Sequence, residues 1–237
     1  MTKSRKDYVD RYYDLFGDGS VDLEIKAVGD FLVRNVYGKT LDCGCGPVPQ
    51  IWAICMPNAT EIHATDVAKE SVDFIKSKLE NTDEWYGKFS NYQTIVEEVV
   101  GPLPKDYILN QVKKIKSFQV ADMTASLPFE NNYFDTAISL YSLGVLKNEI
   151  ELKSAIRNIA GVLKSGGQLL HINTNGENSN DTLPEYTWQG LSQTAETLTP
   201  MLEKAGFKNI ITKKVRIKEA KGMYKYDTIV LLSAIKQ

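Results

Sequence analysis

The stretch Leu41-Asp42-Cys43-Gly44-Cys45-Gly46-Pro47 does most to limit how this chain folds. A β-prone run, Thr40–Cys43, stops at two glycines spaced i and i+2, and a helix-like segment, Val48–Cys55, follows at once. The pattern predicts a strand, a tight turn and a helix. The turn then lies at the carboxyl end of the first strand, where open α/β sheets bind their ligands. Gly44 and Gly46 let the backbone approach a ligand that a Cβ would hold off. A dinucleotide fingerprint needs a third glycine three residues on, but that position is Pro49, and Pro47 also intervenes. Proline removes an N–H from a loop that would otherwise cradle a pyrophosphate. The turn therefore favours a cofactor without phosphates.

Around this turn, strand-like and helix-like segments alternate, as in a parallel sheet flanked by helices. Predicted strands are Thr40–Cys43, Glu61–Thr65, Phe118–Ala121, Thr136–Leu140, Gly167–Asn173, Asn209–Arg216 and Asp227–Lys236. Predicted helices are Leu23–Val36, Val48–Cys55, Lys69–Leu79, Glu149–Leu163 and Thr194–Ala205, the last ended by a C-cap at Gly206. The segment 80–116 is too long for an ordinary connection. Ile95, Val96, Val99 and Val100, then Ile108, Leu109, Val112 and Ile115, fall at helical spacing on either side of Gly101-Pro102-Leu103-Pro104. An inserted helical pair capping one rim of the sheet is expected there. The last two strands are joined by a short connection, so they must pair antiparallel. The expected fold is a doubly wound, seven-stranded, mostly parallel α/β sheet. It is read as one domain over residues 1–237, finished by an antiparallel hairpin.

Composition removes several function classes. The formal net charge is −2, whereas a nucleic-acid enzyme usually carries a basic face. No apolar run approaches the roughly 20 residues that span a bilayer. The start MTKSRKDYVDRYYDLFG has no apolar core of a secretory signal. Cys43, Cys45 and Cys55 lack metal-ligand spacing, and the histidines, His63 and His171, are far from them in sequence. Reduced thiols in a cytoplasmic protein without a metal are expected.

Acids close the ends of successive strands. Asp66 ends the second strand, 20 residues past Gly46, where a carboxylate can accept both ribose hydroxyls of an adenosine. Asp122-Met123 follows the third strand, where an acid near an adenine amino group fits. Asp135-Thr136-Ala137-Ile138-Ser139-Leu140 forms the fourth strand, and Leu163-Lys164-Ser165-Gly166-Gly167 precedes the fifth.

In this order, DCGCGP, TD, ADM, FDTAISL and LKSGG resemble the motifs of class I S-adenosylmethionine-dependent methyltransferases, across nearly the whole chain. Asp7-Tyr8 and Tyr12-Tyr13 before Phe16-Gly17, with Trp85 in the insert, are similar to the nicotinamide, phenylethanolamine and thioether methyltransferase group. The resemblance implies a Rossmann-like methyltransferase fold whose N-terminal segment, residues 1–37, is a helical lid closing over the cofactor through Tyr8 and Tyr13. It implies that Gly44, Cys45 and Gly46 line the amino-acid moiety, with Gln50 near it. Asp66 would hold the ribose, with Val67 and Ser71 alongside, and Asp122 and Met123 would border the adenine. Leu140 and Tyr141 would sit beneath the sulfonium, and Tyr141, Asn173 and Tyr186 would face the acceptor. Tyr13, Tyr141 and Asn173 are the expected catalytic residues.

One position departs from the group. Amine- and pyridine-methylating relatives have an acid where this chain has Asn173, which cannot neutralise a cationic acceptor. The expected reaction is methyl transfer to N, S or O of a small molecule by a monomer or homodimer, leaving S-adenosylhomocysteine. The alternative is attack by the cofactor's own amine on its side chain, which releases methylthioadenosine and forms a cyclic amino acid such as azetidine-2-carboxylic acid.

Overall fold

The described strands form a seven-stranded sheet. The computed structural model describes residues 21–47, 49–79, 89–174, 193–217 and 228–237. Chain contacts divide these into two compact units, one ending at Val120 and the other beginning at Ala121.

In the first unit, α1 (Leu23–Asn35) starts on Asp22, whose Oδ1 accepts the Ile25 N–H at 2.8 Å. It buries Ile25, Val28, Leu32 and Val33, spaced as one helical stripe. Strands β1 (Gly38–Cys43), β2 (Ala59–Asp66) and β3 (Ile115–Val120) run parallel. Between them lie α2 (Pro49–Ile54), α3 (Lys69–Leu79), α4 (Ser90–Val100) and α5 (Tyr107–Val112). The expected helical pair is present as α4 and α5. Helix α4 packs on α1 and α2, and α5 packs on α2. Gly29 of α1 allows the first of these contacts, since a Cβ there would come within 3.0 Å of the Ile95 side chain. Ile115 fits the helical spacing of α5, yet it opens β3, where it pairs with Ile62. The strand thus begins three residues before the expected Phe118 because sheet pairing overrides the local period.

In the second unit, β4 (Phe134–Leu140) pairs parallel with β5 (Leu163–Thr174). Strand β7 (Thr228–Lys236) lies antiparallel between β5 and β6 (Phe207–Arg216), as the hairpin expectation required. Helix α6 (Glu149–Val162) is capped by Asn148, and α7 (Ala195–Lys204) by Thr194. The expected start of the fifth strand at Gly167 moves to Leu163. Leu163 pairs with Phe134 and Gln168 with Thr136, so Lys164–Gly167 form an irregularity that carries a turn-like sequence inside the strand.

Candidate active site

Asp42 stands next to the end of β1. Its side chain is 1% exposed, and neither carboxylate oxygen has a hydrogen-bond partner. Burial, and then the charge of Asp66, push its pKa up to about 8. Beyond it, Gly44 (φ +70°) and Gly46 (φ +59°) take the left-handed backbone that the tight turn requires. The N–H groups of Gly44 and Cys45 both donate to the Thr65 carbonyl, at 2.8 and 2.9 Å. The Gly46 N–H donates to Asp66 Oδ2 at 2.8 Å, and the Ala68 N–H to Asp66 Oδ1 at 2.7 Å. Three successive turn amides are therefore spent inside the protein, and Pro47 has none to give. Such a turn cannot cradle a phosphate, and with two acids at its base it is matched to a cation.

Two exposed apolar side chains stand at the ends of the neighbouring strands. Val67, just after β2, is 63% exposed, and Val120, paired with Asp66 at the end of β3, is 53% exposed. Ser71 is buried at the start of α3. Cys45 packs with Ala64, Ile75 and Phe118, and burial holds its thiol well above the ordinary range. Cys55 is pushed up to about 12 by burial. Neither is a nucleophile in that state. All three cysteines are free thiols.

The second unit holds a closed set of hydrogen bonds behind the ends of β4 and β5. Tyr141 follows β4 with φ +62°, a left-handed conformation unusual for an aromatic residue, and its N–H donates to the Ile172 carbonyl at 2.7 Å. Strained backbone of this kind costs about 1–3 kcal/mol and collects at functional sites. Gln193 then ties the strands to the turn. Its Nε2 donates to the Leu143 carbonyl at 2.6 Å, which leaves Oε1 to accept from His171 Nε2 at 2.8 Å and Asn173 Nδ2 at 3.2 Å. His171 therefore carries its proton on Nε2. Its other ring nitrogen lies 3.4 Å from the Ser139 hydroxyl, which accepts the Leu143 N–H at 3.1 Å. Burial lowers the His171 pKa to about 4, so the ring is neutral at pH 7. Asn173 is 7% exposed and lies flat against Gly144. A Cβ at position 144 would stand 2.6 Å from the Asn173 nitrogen.

The methyltransferase domain family matches residues 41–171, more than half of the chain. The chain belongs to that family. Methyltransferase folds recur among solved structures similar to it. An S-adenosylmethionine-dependent methyltransferase of Thermotoga maritima, described as a possible histamine N-methyltransferase, aligns over 100% of both chains with a TM-score of 0.63 and 13% identity. The [4+2]-cyclase SpnF aligns over 92% of this chain and 85% of its own, with a TM-score of 0.61 and 20% identity. A Haemonchus contortus phosphoethanolamine N-methyltransferase, solved with phosphomonomethylethanolamine and S-adenosylhomocysteine, aligns over 96% of this chain and 56% of its own, at 0.62 and 16%. No curated protein sequence matches the chain.

The cofactor of this methyltransferase is S-adenosylmethionine, and the donor set fits it. The molecule brings an ammonium, a sulfonium, a ribose and an adenine, but no phosphate. A buried carboxylate without a partner, a second acid at the end of β2 and a turn with no spare amides suit those groups. Several expected residues keep local duties as well. Asp122 is exposed, and its Oδ1 accepts both the N–H and the hydroxyl of Thr124, at 2.8 and 2.7 Å. The Met123 carbonyl accepts from Asn158 at 3.0 Å. Leu140 is buried at the end of β4, and Tyr141 is half-buried. Gln50 is placed in α2. Tyr8, Tyr13 and Tyr186 lie outside the described residues. Asp42, Val120, Gly144 and Gln193 were absent from the expected set. Asp42 had a readable signal, an acid between the apolar Leu41 and Cys43 at the end of β1. Gln193 had none, because its partners are distant in sequence. Among the described residues there is no cluster of metal ligands and no helix long and apolar enough to cross a membrane.

Proposed function

We propose that this methyltransferase acts on N, S or O of an uncharged small molecule. One observation carries the reading: the end of β5 presents Asn173, fixed by Gln193 and backed by a neutral His171, where a cationic acceptor would need an acid. An unpaired charge in such a place is strongly disfavoured.

When bound, S-adenosylmethionine supplies an activated methyl group on a good leaving group. The protein's own residues have to orient and to exclude water. Asp42 would pair with the ammonium, and Gly44, Cys45 and Gly46 would line the amino-acid moiety. Asp66 receives the ribose hydroxyls, with Ser71 nearby, while Val67, Val120, Asp122 and Met123 border the adenine. Leu140 and Tyr141 would hold the sulfonium end. A desolvated aromatic face there is worth about 0.5–2 kcal/mol. Asn173 would face the acceptor. Holding the nucleophile in line with the methyl group can supply about 7–11 kcal/mol without any acid–base residue.

The same neutral site favours a second reading, in which no acceptor enters and the cofactor's amine displaces its own sulfur. Mass spectrometry of products separates them. The pure protein is incubated with S-adenosylmethionine alone, then with a library of neutral amines, thiols, thioethers and phenols. S-adenosylhomocysteine with a methylated library member is expected; methylthioadenosine formed without any acceptor overturns methyl transfer.

A further inference from the structure

We propose that Asp42 is neutral in the free protein and that capture of the cofactor's ammonium group ionises it, so that binding releases one proton. The inference rests on the reading above that S-adenosylmethionine binds at the β1 turn. Both Asp42 oxygens are buried and without a hydrogen-bond partner, and a bare carboxylate in that position is strongly disfavoured. The titratable groups that act with it in the first unit offer no relief. Asp66, at the end of β2, is an acid whose charge opposes a second one, and the thiols of Cys43 and Cys45 are themselves kept neutral by burial and by Asp42. Among the described residues, no cation acts on Asp42 as a positive partner.

A ligand ammonium changes that balance. It brings the missing positive charge and N–H donors to oxygens that have none, which favours the ionised carboxyl. The turn amides cannot do this work, because Thr65 and Asp66 already hold them. Asp42 thus makes tight binding depend on an amino-acid moiety with a free ammonium. Adenosine compounds that lack the moiety leave it protonated.

The test is titration calorimetry of the full chain with S-adenosylhomocysteine at pH 6.5, in two buffers of different ionisation enthalpy, with methylthioadenosine as the ligand lacking an ammonium. Release of about one proton per S-adenosylhomocysteine and none with methylthioadenosine is expected. Affinity for S-adenosylhomocysteine should rise about tenfold per pH unit from pH 5 to 7. In Asp42→Asn, which is close in shape to the neutral acid, the release should vanish and the affinity should lose its pH dependence. Binding of S-adenosylhomocysteine without proton release, or release that persists in Asp42→Asn, overturns the inference and leaves the cofactor site standing. The comparison of the two ligands on the natural protein decides the matter even if the variant fails to fold. Failure of S-adenosylhomocysteine to bind at all overturns the assignment of the site, and the inference with it.

Discussion

Asn173 has an amide where its neighbours require one. Gln193 Oε1 can only accept, so the atom facing it from position 173 has to donate. Asn173→Asp places a carboxylate oxygen there instead. Either Gln193 turns and abandons the Leu143 carbonyl, or His171 gains a proton to balance the new charge. An NMR titration of that variant should show the His171 pKa well above its natural value of about 4. Its stability should fall by about 1–3 kcal/mol, the cost of an unsatisfied buried polar group. Asp66 offers a different case, because it serves the turn and, under the proposed function, the ligand as well. Asp66→Ala removes the acceptor of the Gly46 and Ala68 amides and, under the proposed function, a charge-assisted bond to ribose. Calorimetry with S-adenosylhomocysteine should show affinity about ten- to a hundred-fold weaker.

Helix caps carry the same logic to the level of elements. Asn148 Oδ1 accepts the Glu151 N–H at 2.9 Å and starts α6 after the turn that follows β4. Thr194 starts α7 and is the chain neighbour of Gln193, so its cap also fixes where the bridging side chain begins. Replacing either by alanine should cost about 1 kcal/mol, measured by urea unfolding. Thr194→Ala and Gln193→Leu should be non-additive, because they act on one short segment, whereas Asn148→Ala and Gln193→Leu should come closer to adding. The β6 strand answers an element-level problem too. It is one of the sheet's two outer strands, and it carries exposed Lys208, Lys213, Lys214 and Arg216, charges that discourage pairing with another chain.

For the molecule as a whole, two buried groups titrate in opposite senses. Asp42 has its pKa raised to about 8, so its contribution is complete below the usual value of 3.8 and is lost as pH rises through 8. His171 has its pKa lowered to about 4, so its contribution is present above 6.5 and is lost as pH falls towards 4. Between pH 4 and 6.5 the two slopes cancel. Between 6.5 and 8 only Asp42 acts, and the free protein should lose about 2 kcal/mol, followed by chemical unfolding across that range. Asp42→Asn should remove this loss and uncover the His171 slope on the acid side. An unchanged decline above pH 6.5 in that variant would contradict the assignment. The amino-acid sequence by itself determined the alternation of strands and helices, the phosphate-free character of the β1 turn and the acids that end the second strand and follow the third. These follow from local rules: side-chain period, proline's missing donor and glycine's freedom. Only the tertiary structure decided that Asp42 is orphaned, that Ile115 belongs to a strand, that Tyr141 is held at positive φ and that Gln193 dictates which atom Asn173 presents. Those properties depend on which distant groups share a buried space, and no local pattern records that.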